Sequence, residues 1–442
     1  MKSWVRTATE KTLAWATVVI FGGMVIIAMV LGMIKIEKPE LASVNVWLNG
    51  GTTLEEINAG SKDEKYEGNT VIVEDGGRET KYDGVQIKGR GNYSWTQPKR
   101  SYRLKFANEV ELVGLGEDKK WVMIASYMDD AFVRNDLAQY IARMVGQRYT
   151  SVGEFVNFAV DGEELGVYYL TRPLEVGANR VNLRDKLGVL VELDNNYCEY
   201  EEEWFETVMG NCLVMKDAAS EGDSVEAMRE FVSDFNELEL AVEAGEYARV
   251  EELADVRSLA EYFIVSEFTA NPDAYVSSYF FYKDGPEDKI HAGPVWDFDG
   301  AFGNKKWIDG TLEEGFYSPW SNRLRYEEAF SGDYYNEDGI LVHRKANAAA
   351  SKMLSKLALM SEFMEVVHEV YEDRLRGREA EVLGRIDDDV EKIREAAILD
   401  TEKWGKDDFD EAVEYLKWWV EERFRFFDAK FGGIVIDESV EM

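Results

Sequence analysis

The residues best suited to chemistry lie in two short stretches, Asn271-Pro272-Asp273 and Trp296-Asp297-Phe298-Asp299. Asp273 follows a helix stop, and Asp297 ends a strand-like run 24 residues later. Two strands joined by a short turn would bring these carboxylates into one region. Pro294, Val295, Trp296 and Phe298 make that region apolar. Unpaired carboxylates are costly there, so a cation is a natural companion. Hard divalent cations take oxygen ligands, and Mg²⁺ commonly uses one or two carboxylates together with phosphates of a substrate. The plainer alternative is that Asp273 caps a turn and Asp299 faces water.

A second constellation is KGRGNYS at 88–94 followed by PKRSYRLKF at 98–106. It places six basic residues, Lys88, Arg90, Lys99, Arg100, Arg103 and Lys105, within a chain of formal charge −36. Two glycines between strands let backbone N–H groups approach an anion that Lys or Arg then neutralises. That suits a polyphosphate. No GK[ST] opens a helix here, so this is not a Walker A loop. A hairpin turn with solvated basic residues is the ordinary alternative. The combined order is a Gly-containing loop, a strand Lys, a helix, two strands, a helix, an Asp, then a metal-binding Asp. That is the order of a protein kinase, although no HRD or DFG tripeptide is present.

Composition narrows the classes further. The 442 residues include 86 Asp and Glu against 50 Lys and Arg, so no broad basic face is available for a nucleic acid backbone. Three histidines and two cysteines argue against a Cys/His zinc site. Leu13 to Ile34 is 22 residues without a charge. At about 1.5 Å per residue it is long enough to cross a bilayer. It is longer than the core of a cleavable signal. Lys2, Arg6 and Lys11 precede it, which directs the short N-terminus to the cytoplasm and the bulk of the chain outside. In that location Cys198 and Cys212 form a disulfide or remain two buried thiols.

The elements that must position the candidate residues follow from pattern. Strand and turn signals run from Val44 to Phe106, including the turns Asp75-Gly76-Gly77 and Asp83-Gly84. Helical spacing spans Phe132 to Val145 and closes at Gly146. Strands are expected at Phe155–Val160, Leu165–Leu170 and Val189–Leu193, then helices from Ser224 to Leu240 and from Leu259 to Phe268. Strand-like runs at Tyr275–Tyr282 and Gly293–Phe298 precede helices from Leu341 to Phe431. Trp404, Trp418, Trp419, Phe424, Phe426 and Phe427 are expected in that helical core.

The segments at 87–106, 112–138 (LVGLGEDKKWVMIASYMDDAFVRNDLA), 156–183 (VNFAVDGEELGVYYLTRPLEVGANRVNL), 188–194 (GVLVELD), 266–284 (SEFTANPDAYVSSYFFYKD) and 293–304 (GPVWDFDGAFGN) together resemble the CotH family, atypical secreted protein kinases named for spore coat protein H. The resemblance spans roughly residues 44–425. It implies an α+β, kinase-like two-lobed fold, Mg²⁺ or Mn²⁺ with ATP, and phosphoryl transfer to Ser or Thr of a protein. By this resemblance Asp273 is the catalytic Asp and Asp297 the metal-binding Asp, with Asp299 and Ser278 beside it. Ser278 stands where kinase-like sites often carry a metal-binding Asn. Gly89, Arg90 and Gly91 cover the phosphates, and Lys99 or, by preference, Lys105 pairs with them. Tyr168 to Arg172 serve as the linker beside adenine, and Glu192 and Asp194 are spare carboxylates for the metal.

The expected organisation is a cytoplasmic N-terminus (1–12), a transmembrane anchor (13–34), a stalk (35–43), a β-rich N-lobe with the nucleotide loop (44–220), a helical C-lobe with the catalytic Asp residues (221–432) and a tail (433–442). The acidic surface favours a basic, Ser-rich acceptor. Two rivals stand beside this reading. One is a non-catalytic, membrane-tethered binding or adhesion domain that keeps a kinase-like fold. The other is a glycan hydrolase using Asp297 and Asp299, which i, i+2 strand spacing makes awkward.

Overall fold

The computed structural model describes residues 41–304 apart from 199, 200 and 202, then 334–335, 341–342 and 351–432. The apolar run at 13–34 lies outside the described residues, as does the tail 433–442. Among the described residues no helix is long and apolar enough to cross a membrane.

Period-two alternation builds the first half. β1 (Ser43–Trp47) leads to the short helix α1 (Leu54–Ala59), whose Thr53 and Glu56 form a reciprocal capping box. Then come β2 (Tyr66–Asp75), β3 (Arg78–Arg90), β4 (Ser101–Glu111), β5 (Glu117–Ile124), helix α2 (Arg134–Val145), β6 (Gly153–Val160) and β7 (Glu163–Thr171). The strands close into a barrel in the order β1-β2-β3-β4-β5-β7-β6, with β1 lying parallel to β6. Alternate side chains fill it, among them Val44, Val71, Ile87, Leu104, Trp121, Met123, Phe158 and Leu170, all buried. Asp83-Gly84 is not a turn. Gly84, at φ +74°, is the extra residue of a bulge in β3 between the pairs Thr70–Asp83 and Asn69–Val85. α2 ends as expected at Gly146 in the left-handed region, φ +109°.

The second half is a five-stranded sheet under helices. β8 (Gly188–Leu193), β9 (Trp204–Glu206), β10 (Cys212–Ala218), β11 (Tyr279–Asp284) and β12 (His291–Ala292) lie in the order β12-β11-β8-β10-β9. Strands from both sides of residue 220 therefore share one sheet, with β8 buried along its whole length. The helices are α3 (Ser224–Ala244), α4 (Tyr247–Leu253), α5 (Val256–Thr269), α6 (Lys352–Leu357), α7 (Ser361–Arg374), α8 (Glu379–Trp404) and α9 (Phe409–Gly432). Trp419, Phe424 and Phe427 enter the core, whereas Trp404 and Phe426 are half-buried and Trp418 is exposed. Two expected strands shift. Residues 275–278 form a turn before β11, and 293–298 are irregular after β12.

Candidate functional site

Asp273 sits on the turn that leaves α5. Asp255 caps the start of that helix, its carboxylate accepting from Ser258 N at 2.8 Å. At the other end Arg423, buried on α9, donates from Nε to the carbonyls of Glu267 and Phe268, both at 3.2 Å. A cation at a helix C-terminus satisfies its open carbonyls and suits its dipole. The chain then reverses at Ala270 (φ +48°). Asn271 Oδ1 accepts from Asp273 N at 3.2 Å, and Ser277 N donates to Asp273 O at 3.0 Å.

Asp297 and Asp299 sit on the loop after β12. Three contacts fix it: Phe298 N donates to Asn135 Oδ1 of α2 at 2.8 Å, Arg134 Nε to Ala301 O at 3.1 Å, and Phe302 N to Thr269 O at 2.6 Å. The last bond ties this loop to the end of α5 and so to the Asp273 turn. Asn304 Nδ2 joins Asp299 O, at 2.6 Å, to Met128 O of the neighbouring loop.

The two aspartate segments therefore meet, and their charges act on one another. Burial, together with the charges of Asp297, Asp194 and Glu192, pushes the Asp273 carboxyl up to about 7. Asp299 lies well above the usual carboxylate range through burial and the charges of Asp297, Asp273 and Asp129. Glu192, on β8, is pushed to about 7 by burial, opposed by Lys216 at 2.8 Å. Backbone strain collects in the same place. Ten non-glycine residues have positive φ among those described, and seven (Ser126, Phe132, Ala270, Tyr275, Ser278, Asp297 and Phe302) lie on the loops bearing Asp129, Asp273, Asp297 and Asp299. Such residues persist only where the surroundings over-determine them, commonly at functional sites.

Opposite these acids stands Arg90, at the end of β3, with its guanidinium 5.2 Å from the Trp296 ring and within electrostatic reach of Asp297 and Asp299. Arg90, Asn135, Gln139, Tyr169, Trp296 and Asp297 line a groove. Ser151 lines both this groove and a second cavity of about 110 Å³, flanked by Tyr149, Arg172, Leu174, Arg180 and Val181. The Tyr168–Arg172 segment thus contributes Tyr169 and Thr171 to one cavity and Arg172 to the other.

The oxygen donors of Asp273, Asp297 and Asp299 suit a hard divalent cation, and their mutual repulsion is what a cation would relieve. Among the described residues no group of three or more His, Cys, Asp and Glu side chains is placed to hold a metal ion by itself. A pair of carboxylates completed by substrate phosphates is the arrangement Mg²⁺ generally uses.

The other residues singled out in the sequence fall elsewhere. Lys99 is buried without exposure, bonded to Asp400 at 2.6 Å and to Val167 O at 2.5 Å. Lys105 is exposed on the outer face of β4. Gly89 leaves room for the Trp95 ring, since a Cβ there would lie 2.5 Å from it. Gly91, at φ +95°, leaves room for Ser94 in the same way. Both glycines have a packing reason. Ser278 has φ +52°, and its carbonyl accepts from Tyr262 Oη at 3.3 Å. Asp194 binds Ser277 Oγ at 2.9 Å rather than Ser278.

Arg103 is one of the six basic residues of the second constellation but is given no role there, and Glu175 is new. Arg103 pairs with Lys88 across β3 and β4, nearer to Arg90 than Lys105 is, and its charge reaches Arg90. Glu175 binds Arg103 at 2.9 Å, Lys120 at 2.6 Å and Arg180 at 2.7 Å. The inward alternation of Tyr102, Leu104 and Phe106 marks Arg103 and Lys105 as outward. Only the register selects between them.

The chain matches the CotH kinase protein family over residues 87–427 and belongs to it. No curated protein matches it. Among solved structures it is similar to the Helicobacter pylori proinflammatory kinase CtkA, at 10% identity and a TM-score of 0.24, over 75% of this chain and 94% of that one.

Proposed function

We propose that this protein is a membrane-anchored kinase with a two-lobed, kinase-like organisation, transferring the ATP γ-phosphoryl group to Ser or Thr of a protein. The convergence of Asp273, Asp297 and Asp299 opposite Arg90 carries this reading. Mg²⁺ or Mn²⁺, held by Asp297 and Asp299 with Ser278 as a neighbouring hydroxyl, would supply charge neutralisation for the phosphates. Arg90 and Arg103 bind and orient phosphate oxygens, favoured by the planar donor fork of guanidinium. Asp273 orients the acceptor hydroxyl and takes its proton. A carboxyl raised to about 7 by burial is matched to that task near neutral pH. The linker from Tyr168 to Arg172 borders the base.

Anchoring through residues 13–34, with the kinase domain outside, agrees with the closed Cys198–Cys212 disulfide, since such bonds persist in oxidising compartments. The acidic surface fits a basic, Ser-rich acceptor reached by salt-sensitive steering.

The test is the melting temperature of the full chain with and without MgATP. A ligand at about 100 times its Kd adds roughly 2.7 kcal/mol. A metal-dependent rise that Asp297→Ala removes supports the nucleotide site. A flat response in both Mg²⁺ and Mn²⁺ moves the tethered binding domain to first place.

A further inference from the structure

Asp273 lies on a segment that does not hold its own shape. Ala270, Tyr275 and Ser278 all have positive φ without being glycine. Each such conformation costs free energy and needs outside support. Arg423 and the Phe302–Thr269 bond supply it on the α5 side. On the other side the support comes from a turn at 194–198, and that turn is closed by the disulfide.

The chain of contacts can be followed atom by atom. Asp194 Oδ1 accepts from Asn196 N and Tyr197 N, both at 3.0 Å, which makes the turn. The same oxygen accepts from Ser277 Oγ at 2.9 Å, and Asn195 N donates to Val276 O at 2.8 Å. Ser277 N in turn donates to Asp273 O. Behind the turn stands Cys212. Its N–H donates to Asn195 Oδ1 at 2.8 Å, its carbonyl accepts from Asp194 N at 2.9 Å, and its sulfur is bonded to Cys198.

The far side of this clamp is anchored independently. β10 pairs with β8 on one side and β9 on the other. The end of the β9–β10 hairpin is held by Glu239 of α3, fully buried, which accepts from Thr207 Oγ1 at 2.7 Å, Met209 N at 2.9 Å and Asn211 Nδ2 at 2.6 Å. Opening the disulfide would therefore leave β10 in place and remove the covalent hold on the far end of the 194–198 turn, which Asp194 and Asn195 would then keep only through their hydrogen bonds to the Cys212 backbone.

We propose that Asn195 and the Cys198–Cys212 disulfide are a positioning element for Asp273, holding the acceptor-side turn in its working geometry. This rests on the reading of Asp273 as the group that receives the acceptor proton. The element contacts neither nucleotide nor acceptor. It makes activity dependent on an oxidising environment.

Dithiothreitol supplies the test. It delivers two electrons, its own dithiol closing to a cyclic disulfide while Cys198 and Cys212 each become a thiol. Amide hydrogen exchange over residues 273–278 should speed up at least tenfold in the reduced chain, with β8 and β10 still protected. The kcat should fall at least tenfold while the KM for ATP stays within twofold. Asn195→Ala with the disulfide intact should change both quantities in the same direction, and it serves if the reduced chain unfolds. Unchanged exchange at 273–278 with both thiols confirmed by alkylation overturns the proposal, as does faster exchange with an unchanged kcat. A wild-type chain that neither binds MgATP nor transfers phosphate overturns the kinase reading instead, and the exchange result then decides the positioning role alone.

Discussion

Lys99 Nζ lies 2.6 Å from the carboxylate of Asp400, a residue 301 positions further along, and neither side chain touches solvent. The same Asp400 oxygen accepts from Val167 N at 2.8 Å. Gly166 makes room for it, because a Cβ there would lie 2.0 Å away. The pair fastens the β3–β4 loop and β7 of the barrel to α8. Lys406 enters beside it, donating to Ser126 O and Asp129 O at 2.9 Å each. The C-terminal helices thereby brace the loop that carries Asp129.

Lys99→Met should therefore be a folding variant. Removing one partner of a buried pair costs roughly 3–5 kcal/mol, visible as a large loss in denaturant midpoint. Adding Asp400→Asn should restore much of it, since the amide oxygen can still accept from Val167 N. Lys105→Met, at an exposed position, should change stability by about 0.5 kcal/mol or less. A stable Lys99→Met chain with lost ATP binding would show that the lysine works on phosphate after all.

Arg90 and Arg103 carry the phosphate assignment. Hydrogen bonds to charged groups contribute about 1.5–3 kcal/mol, so Arg103→Met or Arg90→Met should raise the KM for ATP by roughly tenfold or more. Steady-state kinetics at varied ATP would check this. An unchanged KM in both variants removes the assignment.

Asp273→Asn should separate binding from chemistry. Loss of a positioned base typically lowers a rate by about 10²–10⁴-fold, so kcat should collapse while the MgATP-induced rise in melting temperature remains. Asp297→Asn should lose the rise itself. Loss of the rise in both would assign Asp273 to the metal rather than to the acceptor.

A third relationship predicts how stability varies with pH. Asp136 and Asp389 share Arg385, whose Nε lies 2.9 Å from the first and 3.1 Å from the second. Burial, with the Asp136 charge, pushes the Asp389 carboxyl up to about 8. The folded chain keeps a proton that the unfolded chain releases near pH 4. This contribution is therefore complete below pH 4 and is lost as pH rises through about 8. Asp389→Asn mimics the protonated acid, so it should match wild type below pH 4 and exceed it in melting temperature by a margin that grows up to pH 9. Parallel wild-type and variant curves across that range would refute the shared proton.

The positions of the candidate carboxylates were legible in the sequence because local signals place them. A helix stop fixes Asp273, and an apolar run ending in two acids marks Asp297 and Asp299. The barrel strands were legible from alternation, and α2 from its spacing and Gly146. What alternation cannot give is register, and register is what sets Arg103 nearer to Arg90 than Lys105 is. Lys99 was misleading for a related reason: its partner is 301 residues away, so nothing local separates a buried strut from a ligand. The two glycines looked like an anion cradle, yet Trp95 and Ser94 require them.

The way each sheet ends bears on how the protein could go wrong. A closed barrel has no unpaired backbone edge to recruit another chain. The five-stranded sheet does have edges, at β9 and β12. β12 is two residues long, and β9 is three, ending in Glu206 and preceded by Glu203. Such short edges are poor templates for edge-to-edge growth, and the acids at β9 add charge repulsion there. Of these two sheets, the barrel is thus protected at its edges by closure and the five-stranded sheet by the brevity of its outer strands.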